Sequence, residues 1–118
     1  KKLEKKGIMV KSMFMLASPE DNEQTTMDTI KYSSLLLNQL VQFSVFTPYP
    51  GTPAFKQFEN DIVANKMEEF NQYNLVYKHK IFNEQLLNKY KHIAYKNFYF
   101  DIKKLYIVFK TFVSIFRK

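Results

Sequence analysis

Apolar residues follow two different spacings in the first half of the chain. Residues 8–16 and 41–46 are short runs rich in β-branched and large apolar side chains, and Met13 to Leu16 is continuously apolar. Such runs predict strands, and a continuous apolar stretch indicates a strand with both faces buried. Between the runs, apolar residues have helical spacing, at Met27, Ile30, Leu37 and Val41. Alternating helix and buried strand predicts parallel strands joined by a crossover helix.

The second half of the chain is predicted to be mainly helical. Residues 54–64 suit a short helix, and residues 75–79 suit a short extended segment. Asn83 is a suitable N-cap for a longer helix, because its side chain can accept a hydrogen bond from a free backbone N–H. A last helix carries apolar residues at helical spacing: Ile102, Leu105, Phe109, Phe112 and Phe116. We therefore expect two parts, residues 1–65 with the strands and residues 66–118 as a helical extension.

The stiffest stretch of the sequence is the loop that follows the second strand. Residues 47–53 contain three of the four prolines and one of the two glycines. Pro50 and Gly51 suit the centre of a type II turn, in which Gly51 supplies a positive φ. A polar loop, residues 17–22, follows the first strand, and in it Asp21 is a suitable N-cap for the next helix. Both loops follow parallel strands and are expected at one edge of the sheet, where ligands bind in such folds.

Charge and composition narrow the chemistry that the chain can carry. The 118 residues have a formal net charge of +7 and contain no cysteine. Disulfides, thiolate metal sites and iron–sulfur ligation within these residues are therefore excluded. His79 and His92 lack the spacing of a metal site, so we predict no metal ligand and no catalytic residue in this chain. The positive charge indicates an acidic partner, such as nucleic acid, an anionic membrane or a phosphorylated ligand, or else ordinary solvated lysines.

Residues 96–118 combine aromatic and basic side chains, and three interpretations of them stay open. They suit an interfacial helix on a membrane, a surface on which the bases of single-stranded nucleic acid stack, or a helix that packs on its own protein. Every apolar run is shorter than the roughly 20 residues needed to cross a bilayer. We expect a cytoplasmic protein without a nucleic acid partner, with peripheral membrane contact through residues 96–118 as an alternative.

Several segments of the chain match a known pattern in order. They are Gly7-Ile8-x-Val10, Phe14-x-Leu16-x-x-Pro19-Glu20-Asp21, Thr29-Ile30-x-Tyr32, TPYPGTP at residues 47–53, Phe70-x-x-Tyr73-Asn74-x-Val76 and Ala94-Tyr95-x-x-Phe98-Tyr99. Together they resemble radical S-adenosylmethionine enzymes, in particular the subgroup with a cobalamin-binding domain that includes anaerobic magnesium-protoporphyrin ester cyclase. TPYPGTP is the specific element of this resemblance, and the other segments support it by their order and spacing.

The resemblance implies the C-terminal part of a partial (β/α)6 barrel of the TIM type, with residues 8–16 and 43–47 as its fifth and sixth strands. It implies that the loop after the fifth strand holds the adenosyl part of S-adenosylmethionine, through Ala17, Ser18, Pro19 and Glu20. It implies that the loop after the sixth strand lies at the barrel mouth, near cofactor and substrate: Thr47, Pro48, Tyr49, Pro50, Gly51 and Thr52. The cofactors of the full-length protein would be S-adenosylmethionine, a [4Fe–4S] cluster and cobalamin.

Two departures from the family pattern limit what this chain does alone. Ala17 stands where the family usually has Gly, and its methyl group crowds a close backbone approach. The CxxxCxxC motif that binds the cluster is absent, so we expect a fragment or a degenerate remnant whose cluster chemistry belongs to other residues. One hypothesis is the C-terminal part of such an enzyme, with its missing N-terminal part and a small-molecule substrate as partners. The other is a non-enzymatic basic module that binds an anionic membrane through residues 96–118.

Overall fold

The computed structural model describes residues 8–36 and 38–116 of the chain. This part contains two β-strands, four α-helices and two short 3₁₀ turns. The elements run in the order β1 (Lys11–Leu16), α1 (Glu23–Leu35), β2 (Leu40–Val45), α2 (Pro53–Phe58), the 3₁₀ turns Glu59–Asp61 and Met67–Glu69, α3 (Glu84–Tyr99) and α4 (Ile102–Phe116). The predicted order of strand, helix and strand is confirmed, and so are the two C-terminal helices.

β1 and β2 pair in parallel, with Lys11 opposite Leu40, and α1 is the helix that joins them. The helix ends at Leu35, and Val41 belongs to β2. The prediction that Val41 continues the helical stripe is therefore wrong, because its backbone takes part in the sheet. Leu37, predicted for the same stripe, lies outside the described residues.

The two faces of the sheet have different surroundings. On one face the rings of Phe14 and Phe43 stack 5.6 Å apart within the core. On the other face Met13 and Met15 of β1 are 60% and 53% exposed. The expectation that β1 is buried on both faces is wrong for the described part of the chain, whereas residues 41–45 of β2 are all buried.

One hydrophobic core lies between helices α1 and α3 and the face of the sheet that carries Phe14 and Phe43. It draws residues from both predicted parts of the chain: Leu16, Ala17, Ile30, Val41, Phe43, Val45, Phe82, Leu87, Tyr90, Ala94 and Phe98. Full burial of a large apolar side chain stabilises a fold by about 1.5–3 kcal/mol. Across the interface between the two helices, the Tyr90 hydroxyl donates a hydrogen bond to the Glu23 carboxylate. The helical second part is thus packed directly on the strands of the first.

Side-chain caps begin the two long core helices. Asn22 caps α1, since its side chain accepts from the Thr25 N–H at 3.0 Å while the Thr25 hydroxyl oxygen accepts from the Asn22 N–H. The prediction of Asp21 as this cap is one residue early. Asp21 instead accepts hydrogen bonds from the Ser18 N–H and the Thr25 hydroxyl. The prediction of Asn83 as the cap of α3 is confirmed by its hydrogen bond with the Leu86 N–H.

The outer edge of β2 is closed by hydrogen bonds from outside the sheet. The Phe43 N–H donates to the Tyr95 hydroxyl at 3.2 Å, and the Val41 N–H donates to the Tyr99 hydroxyl at 3.5 Å. The Val45 N–H donates to the backbone carbonyl of residue 72 at 2.8 Å. Three successive outward N–H groups are thereby satisfied, as buried backbone donors must be. Helix α3 and one loop take the place that another strand would occupy.

The expectation of a partial (β/α)6 barrel is wrong for the described residues, because their sheet has only two strands. A barrel-like sheet curves through several neighbouring strands. Residues 8–36 and 38–116 contain two strands, and the outer side of β2 is taken by α3. The described chain is a small α/β domain, and none of its helices has the length and apolarity required to span a bilayer.

The outer edge of β1 differs from that of β2. The carbonyls of Val10 and Leu16 accept hydrogen bonds from residues at the two ends of β2. Because neighbouring residues of a strand point their backbone groups to opposite sides, Lys11, Met13 and Met15 direct theirs away from β2. No strand pairs with that side in the described residues.

Removal of the Tyr95 hydroxyl tests the closure of the β2 edge. We expect Tyr95→Phe to lower the free energy of unfolding by about 1–3 kcal/mol, because the N–H of the fully buried Phe43 loses its acceptor. Urea denaturation measures the change, and amide hydrogen exchange at Phe43 should accelerate. Tyr106→Phe is the matched control, since Tyr106 is 66% exposed. Equal stability of the two variants would contradict the assigned role.

Candidate functional site

The parallel pairing brings two loops to the same edge of the sheet. Residues 17–22 follow β1, and residues 46–52 follow β2. At this edge the Phe46 N–H donates to the Leu16 carbonyl at 3.0 Å, so the pairing continues up to the start of both loops. This is the edge at which ligands bind in parallel α/β sheets. We therefore treat the two loops as the candidate site.

The loop after β1 begins with a backbone conformation that few side chains adopt. Ala17 has φ 56° and is fully buried. Left-handed backbone of this kind favours glycine, because a Cβ approaches the neighbouring carbonyl oxygen. The loop then closes into a short turn, in which the Asp21 N–H donates to the Ser18 carbonyl at 2.8 Å and the Asp21 carboxylate accepts from the Ser18 N–H at 2.8 Å.

Two side chains from a distant segment hold this loop in place. The Tyr77 hydroxyl donates to the Ala17 carbonyl at 2.8 Å. Nδ1 of His79 accepts from the N–H groups of Ile81 and Phe82, which leaves its Nε2 to carry the proton and to donate to the Ser18 carbonyl at 3.0 Å. We call Tyr77 and His79 the clamp. The clamp connects the loop after β1 to a chain segment 60 residues away.

Aromatic packing surrounds the clamp and fixes its orientation. The Tyr77 ring contacts Phe46 and Phe58, with centroids 5.7 and 5.2 Å away. The His79 ring lies 4.9 Å from that of Phe82. Burial raises the pKa of the Tyr77 hydroxyl, and the Asp21 carboxylate raises it further. Tyr77 therefore remains a neutral hydrogen-bond donor to Ala17 at physiological pH.

The loop after β2 is held by its own turn and by one long-range contact. The Thr52 N–H donates to the Tyr49 carbonyl at 3.1 Å, and Gly51 has φ 86°. The predicted turn around residue 51, with its positive φ, is confirmed. Thr52 also caps α2 by accepting from the Phe55 N–H at 3.2 Å. The Thr47 hydroxyl donates to the backbone carbonyl of residue 71 at 3.0 Å.

The structure brings the predicted site residues to one edge and exposes some of them. The fully buried members of the two loops serve to shape the backbone: Ala17 and Pro48. Several members are half-buried: Ser18, Pro19, Thr47, Pro50 and Thr52. The exposed members are Glu20, Tyr49 and Gly51. The geometry establishes their proximity to the edge, and their functional roles stay predictions.

Some polar groups of the loop after β1 form hydrogen bonds within the chain, and others are free to bind a ligand. The carbonyls of Ala17 and Ser18 and the Ser18 N–H are engaged inside the chain. Within the described residues, the Ser18 hydroxyl and the Glu20 carboxylate make no hydrogen bond. These two side chains fit the hydroxyl and amine groups of an adenosyl ligand. A thiolate-bound cluster does not fit, because the chain has no cysteine, and the described residues contain no metal-binding group of His, Cys, Asp and Glu.

Sequence reasoning missed the clamp. Residues 75–79 were expected to be extended, and Tyr77 does form an isolated antiparallel bridge with Ile62. The spacing of His79 from His92 argues against a metal site, and no feature of the sequence predicts that His79 is buried. The available signal was the strong apolar content around Leu75 and Val76, which indicates a segment that packs inward. Nothing in the sequence indicated which carbonyls the clamp would reach.

Comparison with known proteins finds a distant similarity to one group of enzymes, the methyltransferases. No protein-family model matches the sequence, and no solved structure matches it. The chain is 27% identical over 107 residues to an uncharacterized methyltransferase of Pyrococcus horikoshii. The match covers 89% of this chain and 23% of the relative, so the chain spans about a quarter of the length of that protein. The similarity is to a methyltransferase in general and does not distinguish the radical subgroup.

Substitution of Ala17 tests the left-handed backbone of the loop. We expect Ala17→Gly to change the free energy of unfolding by less than about 1 kcal/mol, because relief at positive φ offsets the lost methyl burial. Ala94→Gly is the matched control, since Ala94 is equally buried but lies inside α3. It should cost about 1–2 kcal/mol in urea denaturation through lost helix propensity and burial. An equal loss of unfolding free energy in the two variants would contradict the positive φ of Ala17.

The clamp predicts a pH-dependent contribution of Tyr77 to stability. At neutral pH, Tyr77→Phe should cost about 1–3 kcal/mol, because the buried Ala17 carbonyl loses its donor. The folded state raises the pKa of Tyr77 above its unfolded value of about 10, so this stabilisation is present below pH about 10 and is lost as the pH rises through the folded pKa. The difference between wild type and Tyr77→Phe should therefore narrow above pH about 10.

Urea denaturation across this pH range measures the difference. Tyr32→Phe serves as the control, because Tyr32 is 58% exposed and its variant should follow the wild type at every pH. A gap between wild type and Tyr77→Phe that stays constant above pH about 10 would contradict the clamp.

Proposed function

We propose that this chain forms the C-terminal part of a longer, S-adenosylmethionine-dependent enzyme of the radical type, in the subgroup that binds cobalamin. Its two loops, residues 17–22 and 46–52, would line one side of the cofactor and substrate site. The observation that carries the proposal is the position of both loops at the carboxyl edge of a parallel sheet, with the first held by the clamp.

Two further observations support the proposal. The relative of Pyrococcus horikoshii is named a methyltransferase, and S-adenosylmethionine is a usual methyl donor for such enzymes. The sequence segments that resemble radical S-adenosylmethionine enzymes include TPYPGTP at residues 47–53, whose turn around Gly51 is formed as predicted. The chain cannot ligate the iron–sulfur cluster by itself, since it contains no cysteine.

The proposal gives each loop a distinct task. Ser18 and Glu20 would contact the adenosyl part of S-adenosylmethionine, through the hydroxyl and carboxylate that are otherwise unengaged. Thr47, Tyr49 and Thr52 would shape the substrate side, on a turn that loses little entropy when a ligand binds because it is already rigid. When bound, S-adenosylmethionine supplies the reactive group, while the residues of this chain orient it and exclude water.

The rest of the enzyme would complete the site. The outward backbone groups of Lys11, Met13 and Met15 lack partners in the described chain, and a strand from the remaining polypeptide would satisfy them. The cluster-binding cysteines and the cobalamin domain would belong to that remaining part. The clamp would then keep the loop after β1 in one conformation while the other side of the site is built by different residues.

Photochemical labelling tests where the cofactor lies. The full-length protein, prepared without oxygen, is irradiated with radiolabelled S-adenosylmethionine and digested with trypsin. Cleavage after Lys11, Lys31 and Lys56 isolates residues 12–31 and 32–56, which contain the two loops. We expect label in residues 12–31, and unlabelled S-adenosylmethionine should compete it away. Label confined to peptides outside these two would overturn the proposal.

Two variants that remove the same charge test whether labelling of residues 12–31 depends on the Glu20 carboxylate. Glu20→Gln should reduce labelling of residues 12–31 by about fivefold or more, as expected when a charge-assisted hydrogen bond is lost. Glu59→Gln removes the same charge from an exposed position in a 3₁₀ turn and should leave labelling unchanged. Equal labelling of the two variants would contradict a role for Glu20 in cofactor binding.

A further inference from the structure

Helix α4 buries a lysine and exposes apolar side chains, which is the reverse of the usual arrangement. Lys104 is 1% exposed, with its ammonium 3.7 Å from the centre of the Phe98 ring and 3.4 Å from the Ser33 carbonyl. On the same helix Ile102 and Phe109 are 82% and 67% exposed. A helix that packs on its own domain buries its apolar face and exposes its lysines. In α4 a lysine anchors the helix to the body, and the apolar face points to solvent.

The exposed apolar residues form one continuous stripe. Its members are 40–82% exposed and recur at helical spacing: Ile102, Leu105, Tyr106, Phe109 and Val113. At about 100° per residue they lie within about 60° of the direction of Phe109. We call these five residues the α4 stripe. It runs along a helix of 15 residues, or about 22 Å, which is shorter than the roughly 30 Å needed to cross a bilayer.

Positive charge borders the stripe on one side. Lys103 and Lys110 are both exposed and lie about 100–120° from Phe109 around the helix axis. Residues 102–118 contain no aspartate or glutamate, and the whole chain carries a net charge of +7. An apolar face flanked by lysines and free of carboxylates complements a surface that is apolar beneath an anionic layer.

We propose that α4 docks in the interface of an anionic lipid membrane. The α4 stripe would enter the boundary between head groups and acyl chains, and Lys103 and Lys110 would lie among the acidic head groups. The body of the domain would sit on the solvent side, held through Lys104 and Phe98. The surface is smaller than residues 96–118, because residues 96–99 belong to α3, where Phe98 is fully buried.

Vesicle flotation tests the docking. The chain is mixed with vesicles of phosphatidylcholine alone or with an equal part of phosphatidylglycerol, and floated through sucrose at low salt. We expect flotation with the mixed vesicles and about tenfold less with phosphatidylcholine, and loss of binding as salt screens the lysines. No flotation with mixed vesicles, or equal flotation with both kinds, would overturn the proposal.

A pair of variants with the same charge change separates the stripe from general basicity. Phe109→Glu places a charge in the α4 stripe and should reduce partitioning at least tenfold. Gln57→Glu adds the same negative charge at an exposed residue of α2, distant along the chain from the stripe. It should reduce partitioning less than about threefold. Both positions are exposed, and circular dichroism verifies that each variant is folded. Equal flotation of the two variants would contradict insertion of the stripe.

The two exposed lysines of α4 are tested together, and a second copy of the chain is the competing occupant of the α4 stripe. Replacing Lys103 and Lys110 together with Gln should weaken partitioning about 20-fold or more, at roughly fivefold for each lysine near the surface. Sedimentation velocity without vesicles measures self-association. A wild-type dimer that Phe109→Glu dissociates, together with absent flotation, would assign the stripe to a second copy of the chain and overturn membrane docking.

Discussion

The backbone N–H groups on the outer side of β2 must find acceptors, and the way they do so decides most of this fold. Because β2 is buried, each unmatched donor would cost about 1–3 kcal/mol. The donors of Val41 and Phe43 reach the hydroxyls of Tyr99 and Tyr95. Those tyrosines are one turn apart on α3, with parallel rings 6.4 Å between centroids, so the helix is positioned by two bonds at once. The sheet consequently ends at β2, and α3 becomes part of the core.

The candidate site depends on the same arrangement. A parallel pair with its crossover helix places two loops at one edge, while the placement of α3 positions the segment before it, which carries the clamp. Tyr77 and His79 then fix the carbonyls of Ala17 and Ser18. This fixation offsets the cost of a non-glycine residue at φ 56°, which is of the order of 1–2 kcal/mol. A strained residue held by buried hydrogen bonds is typical of positions where backbone shape serves a site.

Lys104 shows how a buried charge positions an otherwise exposed helix. Burial lowers the pKa of its ammonium, against the smaller opposing effect of Asp101. The lowered pKa means that the folded state disfavours the charged form of Lys104, so burying this ammonium carries a free-energy cost. The aromatic face of Phe98 and the Ser33 carbonyl offset part of this cost. Because Lys104 faces the body of the domain, the α4 stripe on the other side of the helix faces solvent.

Elements whose causes are local follow from the amino-acid sequence. Apolar spacing predicted the strand–helix–strand unit and the two C-terminal helices, Pro50 and Gly51 predicted their turn, and Asn83 predicted its cap, because each depends on residues within a few positions. The sequence did not determine that the sheet ends at two strands, since that depends on which distant groups reach the edge of β2. Tyr95, Tyr99, Tyr77 and His79 read locally as apolar or amphipathic side chains. Their polar atoms cap backbone groups 52 to 61 residues away. Hydrogen-bond partners at that separation are selected by packing in the folded chain and leave no periodic signal in the sequence.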